Sequence, residues 1–241
     1  MQFENSVSVV TGAGSGIGRE IALGLWREGS TVCLLDRDSE RLSTFIQTVE
    51  GEHARVRLFA VDINREDDVL NAVTRIQEEF TRIDILVHSA GAFLYGEWES
   101  ISLKDFDLLY KTNLRAPVLL TKALLPALRT SRGQIVFINS SAGRSARAKV
   151  GAYSTTKYGL CAFADSLREE VNSAGIRVIS AYPGRTATPM QELVCRLDGS
   201  EYRPDRLLSP EDVASTVVHA MGLPRTAEIT DICIRPMVKA N

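Results

Sequence analysis

Short apolar runs alternate with amphipathic stretches along the whole chain. Ser6–Thr11, Thr31–Asp36, Val56–Asp62, Ile83–His88, Gln134–Asn139, Ile176–Ala181 and Ile229–Arg235 each read as a strand. Several are continuously apolar rather than alternating, the pattern of strands covered on both faces. Between them, apolar residues recur at helical spacing. Ile17, Ile21 and Leu25, with Ala22 beside them, share one face. Val69, Ala72, Val73, Ile76 and Phe80 form a second stripe, which Asn64 is placed to cap. Longer helical segments fill 102–130 and 152–173. Strands alternating with helices predict a doubly wound α/β fold: a seven-stranded, mostly parallel sheet with helices on both faces and right-handed crossovers.

Composition narrows the picture without changing it. A chain of 241 residues with no Pro- or Gly-rich linker fits one domain, residues 1–241. Twenty-eight basic against 30 acidic residues leave −2, which is no nucleic-acid footprint. Cys33, Cys161, Cys195 and Cys233 lie far apart, so free thiols are expected, with neither a metal site nor a disulfide framework. The richest apolar stretch, Val118–Leu128, is broken by Lys122 and is too short to span a bilayer. The first strand begins almost at once, leaving no room for a signal peptide. A cytoplasmic protein with neither nucleic-acid nor membrane partners is the expectation.

The run Thr11-Gly12-Ala13-Gly14-Ser15-Gly16-Ile17-Gly18 closes the first strand and opens the first helix. Glycine lets the backbone approach a pyrophosphate closely, and the helix aims free N–H groups and its positive dipole end at phosphates. Strand before and helix after supply the context such a motif requires, so a dinucleotide fold of Rossmann type is predicted. Gly12, Ser15, Gly16, Ile17 and Gly18 are the candidate phosphate contacts. Asp36 ends the second strand 18 residues after Gly18, where an acidic group meets the adenosine ribose. Its charge would repel a 2′-phosphate by roughly 4 kcal/mol at 4 Å and an effective dielectric near 20, which favours NAD(H) over NADP(H). Arg37 works the other way, because a guanidinium there could pair with that phosphate. Asp62, with Ile63 beside it, is placed either to meet the adenine or to form a turn.

Tyr153-Ser154-Thr155-Thr156-Lys157 puts a phenol and an ammonium on one helical face. A lysine charge about 5 Å from a phenol, at an effective dielectric near 20, lowers its pKa by roughly two units. The phenol can then protonate a ketone undergoing reduction or deprotonate an alcohol undergoing oxidation. Ser140 follows the fifth strand, thirteen residues before Tyr153, at the sheet end where open α/β folds bind ligands. Asn113 supplies an amide that could order a water near Lys157.

Together these pieces resemble the short-chain dehydrogenase/reductase family: TGAGSGIG at 11–18, Asp62, Asn113, Ser140, YSTTK at 153–157 and PGRTATP at 183–189. The resemblance covers essentially the whole chain. It implies that Asn113, Ser140, Tyr153 and Lys157 form a catalytic tetrad, that Lys157 also binds the nicotinamide ribose, and that Asn113 holds a water in a proton relay. It further implies that Ala90 and Gly91 border the cofactor, that Pro183, Gly184, Thr186 and Thr188 contact its nicotinamide end, and that the protein is a homotetramer or homodimer. The activity implied is NAD(P)-dependent interconversion of a small-molecule alcohol and its carbonyl partner. A non-catalytic NAD(H)-binding protein on the same fold is the alternative. Where the family usually shows Asn-Asn-Ala-Gly, this chain has His88-Ser89-Ala90-Gly91. Loss of the two amides puts hydrogen bonding within the sheet in question, and His88 reads as a hydrogen-bonded structural residue.

The substrate walls are expected from Ala92–Trp98, Ala142–Ala152 and Met190–Leu208. Within a lid segment at about 189–208, Met190, Leu193, Val194 and Leu197 share helical spacing and could form its apolar inner face, with ordinary packing as the commoner reading of such a stripe. Arg144, Arg147 and Lys149, with no acidic residue among them, could attract an anionic substrate; a solvated loop is the other reading.

Overall fold

A computed structural model describes residues 1–49 and 53–237. In chain order the elements are β1 (Val7–Thr11), α1 (Gly16–Arg27), β2 (Thr31–Asp36), α2 (Ser39–Thr48), β3 (Val56–Ala60), α3 (Glu66–Glu79), β4 (Ile85–His88) and α4 (Leu103–Tyr110). Then follow α5 (Ala116–Ser131), β5 (Gln134–Ile138), α6 (Gly151–Val171), β6 (Arg177–Pro183), α7 (Pro189–Asp198), α8 (Pro210–Met221) and β7 (Asp231–Ile234). The strands form one seven-stranded sheet in the order β3-β2-β1-β4-β5-β6-β7. Every strand pairing is parallel. Strand order reverses between β1 and β4, the switch point at which α/β sheets open a ligand crevice.

Successive strand residues go to opposite faces, and both faces are buried. Val10, Leu34, Val136 and Ile138 pack with Ile21, Leu25, Phe45 and Val217 from the α1, α2 and α8 side. Val9, Cys33, Leu35 and Phe137 pack with Ile76, Leu124 and Leu160 from the α3, α5 and α6 side. This two-sided burial is why the strands read as unbroken apolar runs. Among the described residues, no helix is long and apolar enough to cross a membrane.

Two local predictions are corrected. Asn64 does not cap α3: Arg65 occupies the cap position, with no side-chain bond. Asp62 takes up Asn64 instead, its Oδ1 accepting from Asn64 N–H at 3.0 Å and from Asn64 Nδ2 at 3.1 Å. The helix start is served by Glu66, Asp67 and Asp68, whose charges complement the dipole. The helical segment at 102–130 is also not uniform. A π-helical turn at Lys111–Arg115 joins α4 to α5, and Ala116 N–H bonds back to the Lys111 carbonyl, five residues earlier. Such turns are rare and concentrate at functional sites; this one carries Asn113.

Candidate active site

The glycine loop closes against the end of β4. Thr11 Oγ1 accepts from Ser89 N–H at 3.1 Å and Ala90 N–H at 3.2 Å, which ties the glycine loop to the turn after β4. Gly12 has φ +66°, and a Cβ there would come within 2.7 Å of the Ala90 nitrogen. A Cβ on Gly18 would lie 2.4 Å from the Gly12 carbonyl oxygen, so α1 sits directly on the loop. Ser15 makes no capping bond to α1, and first-turn N–H groups have no partner within a helix. This cradle fits a pyrophosphate. Gly12→Ala and Gly18→Ala are each expected to weaken dinucleotide binding tenfold or more, through strain of about 1–3 kcal/mol. Fluorescence titration with NADH checks this, and an unchanged Kd would contradict it.

Asp36, at the end of β2, is fixed by backbone donors. Its carboxylate accepts from Gly14 N–H at 3.0 Å and Asp38 N–H at 3.1 Å. Arg37 is exposed and makes no ion pair among the described residues. Ile63 packs on the α3 side of the core beneath Asp62. Beyond β6, Pro183 closes the strand, Gly184 N–H donates to Ile234 O at 2.8 Å, and Thr186 Oγ1 donates to Gly184 O at 3.0 Å. Thr188 caps α7 by accepting from Gln191 N–H. A Cβ on Gly16 would lie 3.0 Å from the Thr188 methyl, and one on Gly91 would lie 3.6 Å from the Met190 methyl. The start of α7 therefore reaches across to both the glycine loop and the β4 end.

Ser140, Tyr153 and Lys157 of the expected tetrad gather at the carboxyl end of β5, and Asn113 joins them through Thr156. Ser140 caps a one-turn helix, its Oγ accepting from Ala142 N–H at 3.1 Å. Lys157 Nζ donates to Ile138 O at 2.9 Å and stands 5.9 Å from the Tyr153 ring centroid. Asn113 uses its amide as a strut. Oδ1 accepts from Ala92 N–H at 2.8 Å, and Nδ2 donates to Ala92 O and to Thr156 Oγ1, each at 3.0 Å. Both amide hydrogens are thus occupied by protein, rather than offered to a water as the sequence suggested. Thr156 donates in turn to Tyr153 O at 2.8 Å, closing a path from the β4 loop to α6.

The electrostatics correct a further expectation. Burial pushes the Tyr153 phenol up to about 12, with the Ser140 hydroxyl pulling the other way. Burial outweighs the Ser140 hydroxyl, so the phenol stands above its ordinary value rather than below it. Burial also pushes the Lys157 ammonium down to about 8. Below pH 8 the fold therefore holds a desolvated charge that the unfolded chain keeps in water. Between about 8 and the ordinary 10.5 the fold has released that proton while the unfolded chain retains it, so this group's contribution to stability rises across that window. Lys157→Met is expected to stabilise the free protein at pH 7 by roughly 1–3 kcal/mol, the gain shrinking as pH approaches that upper limit. Thermal melts across pH check this; a lower Tm at pH 7 would contradict it.

His88 is buried, its Nε2 lies 2.9 Å from Thr121 Oγ1, and its ring stacks on Phe137. Burial pushes its pKa down to about 3, which keeps the imidazole neutral. Strand pairing continues through the altered segment, with Thr11 and Phe137 opposite His88. On α7, Gln191 and Cys195 are buried, whereas Leu193 and Leu197 are 40% and 46% exposed. Arg144 is engaged by Asp231 and lies over the Tyr182 ring, 4.0 Å from its centroid. Lys149 Nζ stands 3.9 Å from Glu97 Oε1. Sequence reasoning singled out neither Thr11 nor Thr156 as a brace, since a lone hydroxyl carries no periodic or charge signal.

A parallel doubly wound sheet with a glycine loop at its switch point is the dinucleotide-binding class of α/β protein. More narrowly, the short chain dehydrogenase model matches residues 6–196, and the chain belongs to that family of oxidoreductases. An uncharacterized oxidoreductase of Staphylococcus saprophyticus is 29% identical over 239 residues, covering 98% of this chain and 100% of its own. A metagenomic short-chain oxidoreductase in complex with NADP is 29% identical, covers 99% of this chain and 100% of its own, and has a TM-score of 0.85. The closed form of a serine dehydrogenase complexed with NADP+ is 26% identical over 98% of this chain and 96% of its own, with a TM-score of 0.87.

Proposed function

We propose that the protein interconverts a secondary alcohol and a ketone, or acts on an aldehyde, with NAD(H) favoured over NADP(H). The observation that carries this reading is the convergence of Ser140, Tyr153 and Lys157 beside a glycine loop built for a pyrophosphate. The nicotinamide, when bound, supplies or takes up the hydride. Ser140, its Oγ fixed by Ala142 N–H, orients the substrate oxygen. Tyr153 gives that oxygen its proton in reduction and removes it in oxidation. Lys157 holds positive charge beside the phenol, and Asn113 keeps the β4 loop in register with α6.

A phenol at or above its ordinary value is protonated at neutral pH, so Tyr153 has a proton to give to the substrate oxygen in reduction. Support for NAD(H) comes from Asp36, whose carboxylate is held in place by two backbone N–H groups. The two solved relatives described above carry NADP, so this preference rests on Asp36 itself.

Nicotinamide absorbance on a panel of ketones, aldehydes and alcohols, run with NAD(H) and with NADP(H), tests the reading. Turnover with lower KM for NADH is the expected result. Better use of NADPH would overturn the cofactor preference, and tight cofactor binding without turnover of any carbonyl or alcohol would overturn the reaction.

A further inference from the structure

Apart from Ser140 and Lys157, the side chains packed around the Tyr153 ring are apolar. Phe93 turns its ring edge-on to the Tyr153 ring, with centroids 5.0 Å apart and planes 60° apart. Ala92, Leu94, Ile101, Phe106 and Ala142 pack into the same cluster. They come from the loop after β4, the entry to α4 and the turn that carries Ser140, so three segments present apolar side chains around the phenol.

The cations bordering this patch are largely engaged elsewhere. Arg144 is drawn to the β6–β7 side by Asp231 and the Tyr182 ring. Lys149 faces Glu97, and the two loops carrying them are joined by Gly96 N–H donating to Lys149 O at 2.8 Å. Trp98 covers Gly151 from outside, where a Cβ would lie 2.6 Å from the indole nitrogen. Arg147 is exposed and has no ion pair among the described residues. A carboxylate bound against Phe93 would lose its hydration among apolar side chains, while the buried cation near the phenol, Lys157, is held by the Ile138 carbonyl at 2.9 Å. An alkyl or aryl group there would bury apolar surface, and an aryl ring could pack edge or face against Phe93.

We propose that the substrate carries an alkyl or aryl group, and no carboxylate, on its reacting carbon, with Phe93 as the residue that sets this preference. The proposal deepens the alcohol–ketone reading above and rests on it.

Phenylacetone and phenylpyruvate test it as a matched pair, because they differ at the reacting carbon by a methyl against a carboxylate. Binding of each to the NAD+-loaded protein is measured by calorimetry, and turnover of each with NADH by absorbance. Phenylacetone is expected to bind and to be reduced at least tenfold better. Phe93→Ser is expected to weaken phenylacetone binding about tenfold or more, and Phe93→Leu, which keeps an apolar side chain, to restore most of it. A preference for phenylpyruvate, an unchanged phenylacetone Kd in Phe93→Ser, or binding of neither compound would overturn the proposal. Binding of phenylacetone without any turnover would overturn the oxidoreductase reading while leaving the apolar site standing; turnover that favours the acid would do the reverse.

Discussion

Tyr153→Phe is expected to lower kcat by about 10²–10⁴-fold, the usual contribution of a positioned acid–base group. Dinucleotide affinity and Tm should change little. The reason for the split lies in what the side chain touches. Its ring packs edge-on to Phe93 and among Leu109 and Ala152, and phenylalanine keeps all of those contacts. Only the hydroxyl is lost, and with it the proton exchanged with the substrate oxygen. Burial already holds the phenol protonated across the neutral range. Reduction by the wild type should therefore vary little from pH 6 to 8, whereas oxidation, which needs the phenolate, should accelerate as pH rises. Steady-state kinetics beside a thermal melt and an NADH titration separate these effects. Retention of more than about a tenth of kcat would remove Tyr153 from the reaction.

Asp36→Asn is expected to improve KM for NADP(H) by about 10- to 100-fold and to worsen KM for NAD(H) several-fold. Asparagine retains an acceptor for Gly14 N–H or Asp38 N–H, so the loop keeps part of its bracing while the charge goes. The repulsion removed is at most about 4 kcal/mol at 4 Å and an effective dielectric near 20. Partial exposure of Asp36 screens it, which is why the expected factor is smaller than that limit implies. Arg37 then becomes an unopposed cation at the ribose. Asp36→Ala would confound the experiment, because it also frees two backbone donors. If KM for NADP(H) does not move in Asp36→Asn, the carboxylate does not read the ribose 2′ position.

Much of this was legible in the sequence, for identifiable reasons. Strands buried on both faces leave continuous apolar runs, so each of the seven could be located, with ends shifted by a few residues. The glycine loop could be read because steric necessity writes itself into residue type: no side chain fits at Gly12 or Gly18. Ser140, Tyr153 and Lys157 could be grouped because two of them share a helix face and the third closes a strand.

What escaped depended on long-range partners. Asn64 has the residue type of a cap, but Asp62 and Thr112 claim its side chain. The Tyr153–Lys157 pair was read as two charges at a distance, whereas burial from the α4 segment and the β4 loop sets the sign of the phenol's shift. Arg144 offered two readings, a cation for an anionic substrate or a solvated loop residue, and neither anticipates its partner Asp231, 87 residues away. On α7, a helical period of apolar residues marks a stripe but not which way the helix turns, and the residues it buries are Gln191 and Cys195.

The central claim is that Tyr153 and its neighbours complete a hydride transfer at a carbonyl carbon. The most direct measurement is a single-turnover reduction of phenylacetone with NADH deuterated on the transferring position, followed by mass spectrometry of the alcohol. The predicted product carries one deuterium on the carbinol carbon, formed by the wild type and not by Tyr153→Phe in the same interval. Alcohol without deuterium, or equal yields from the two proteins, would contradict the account.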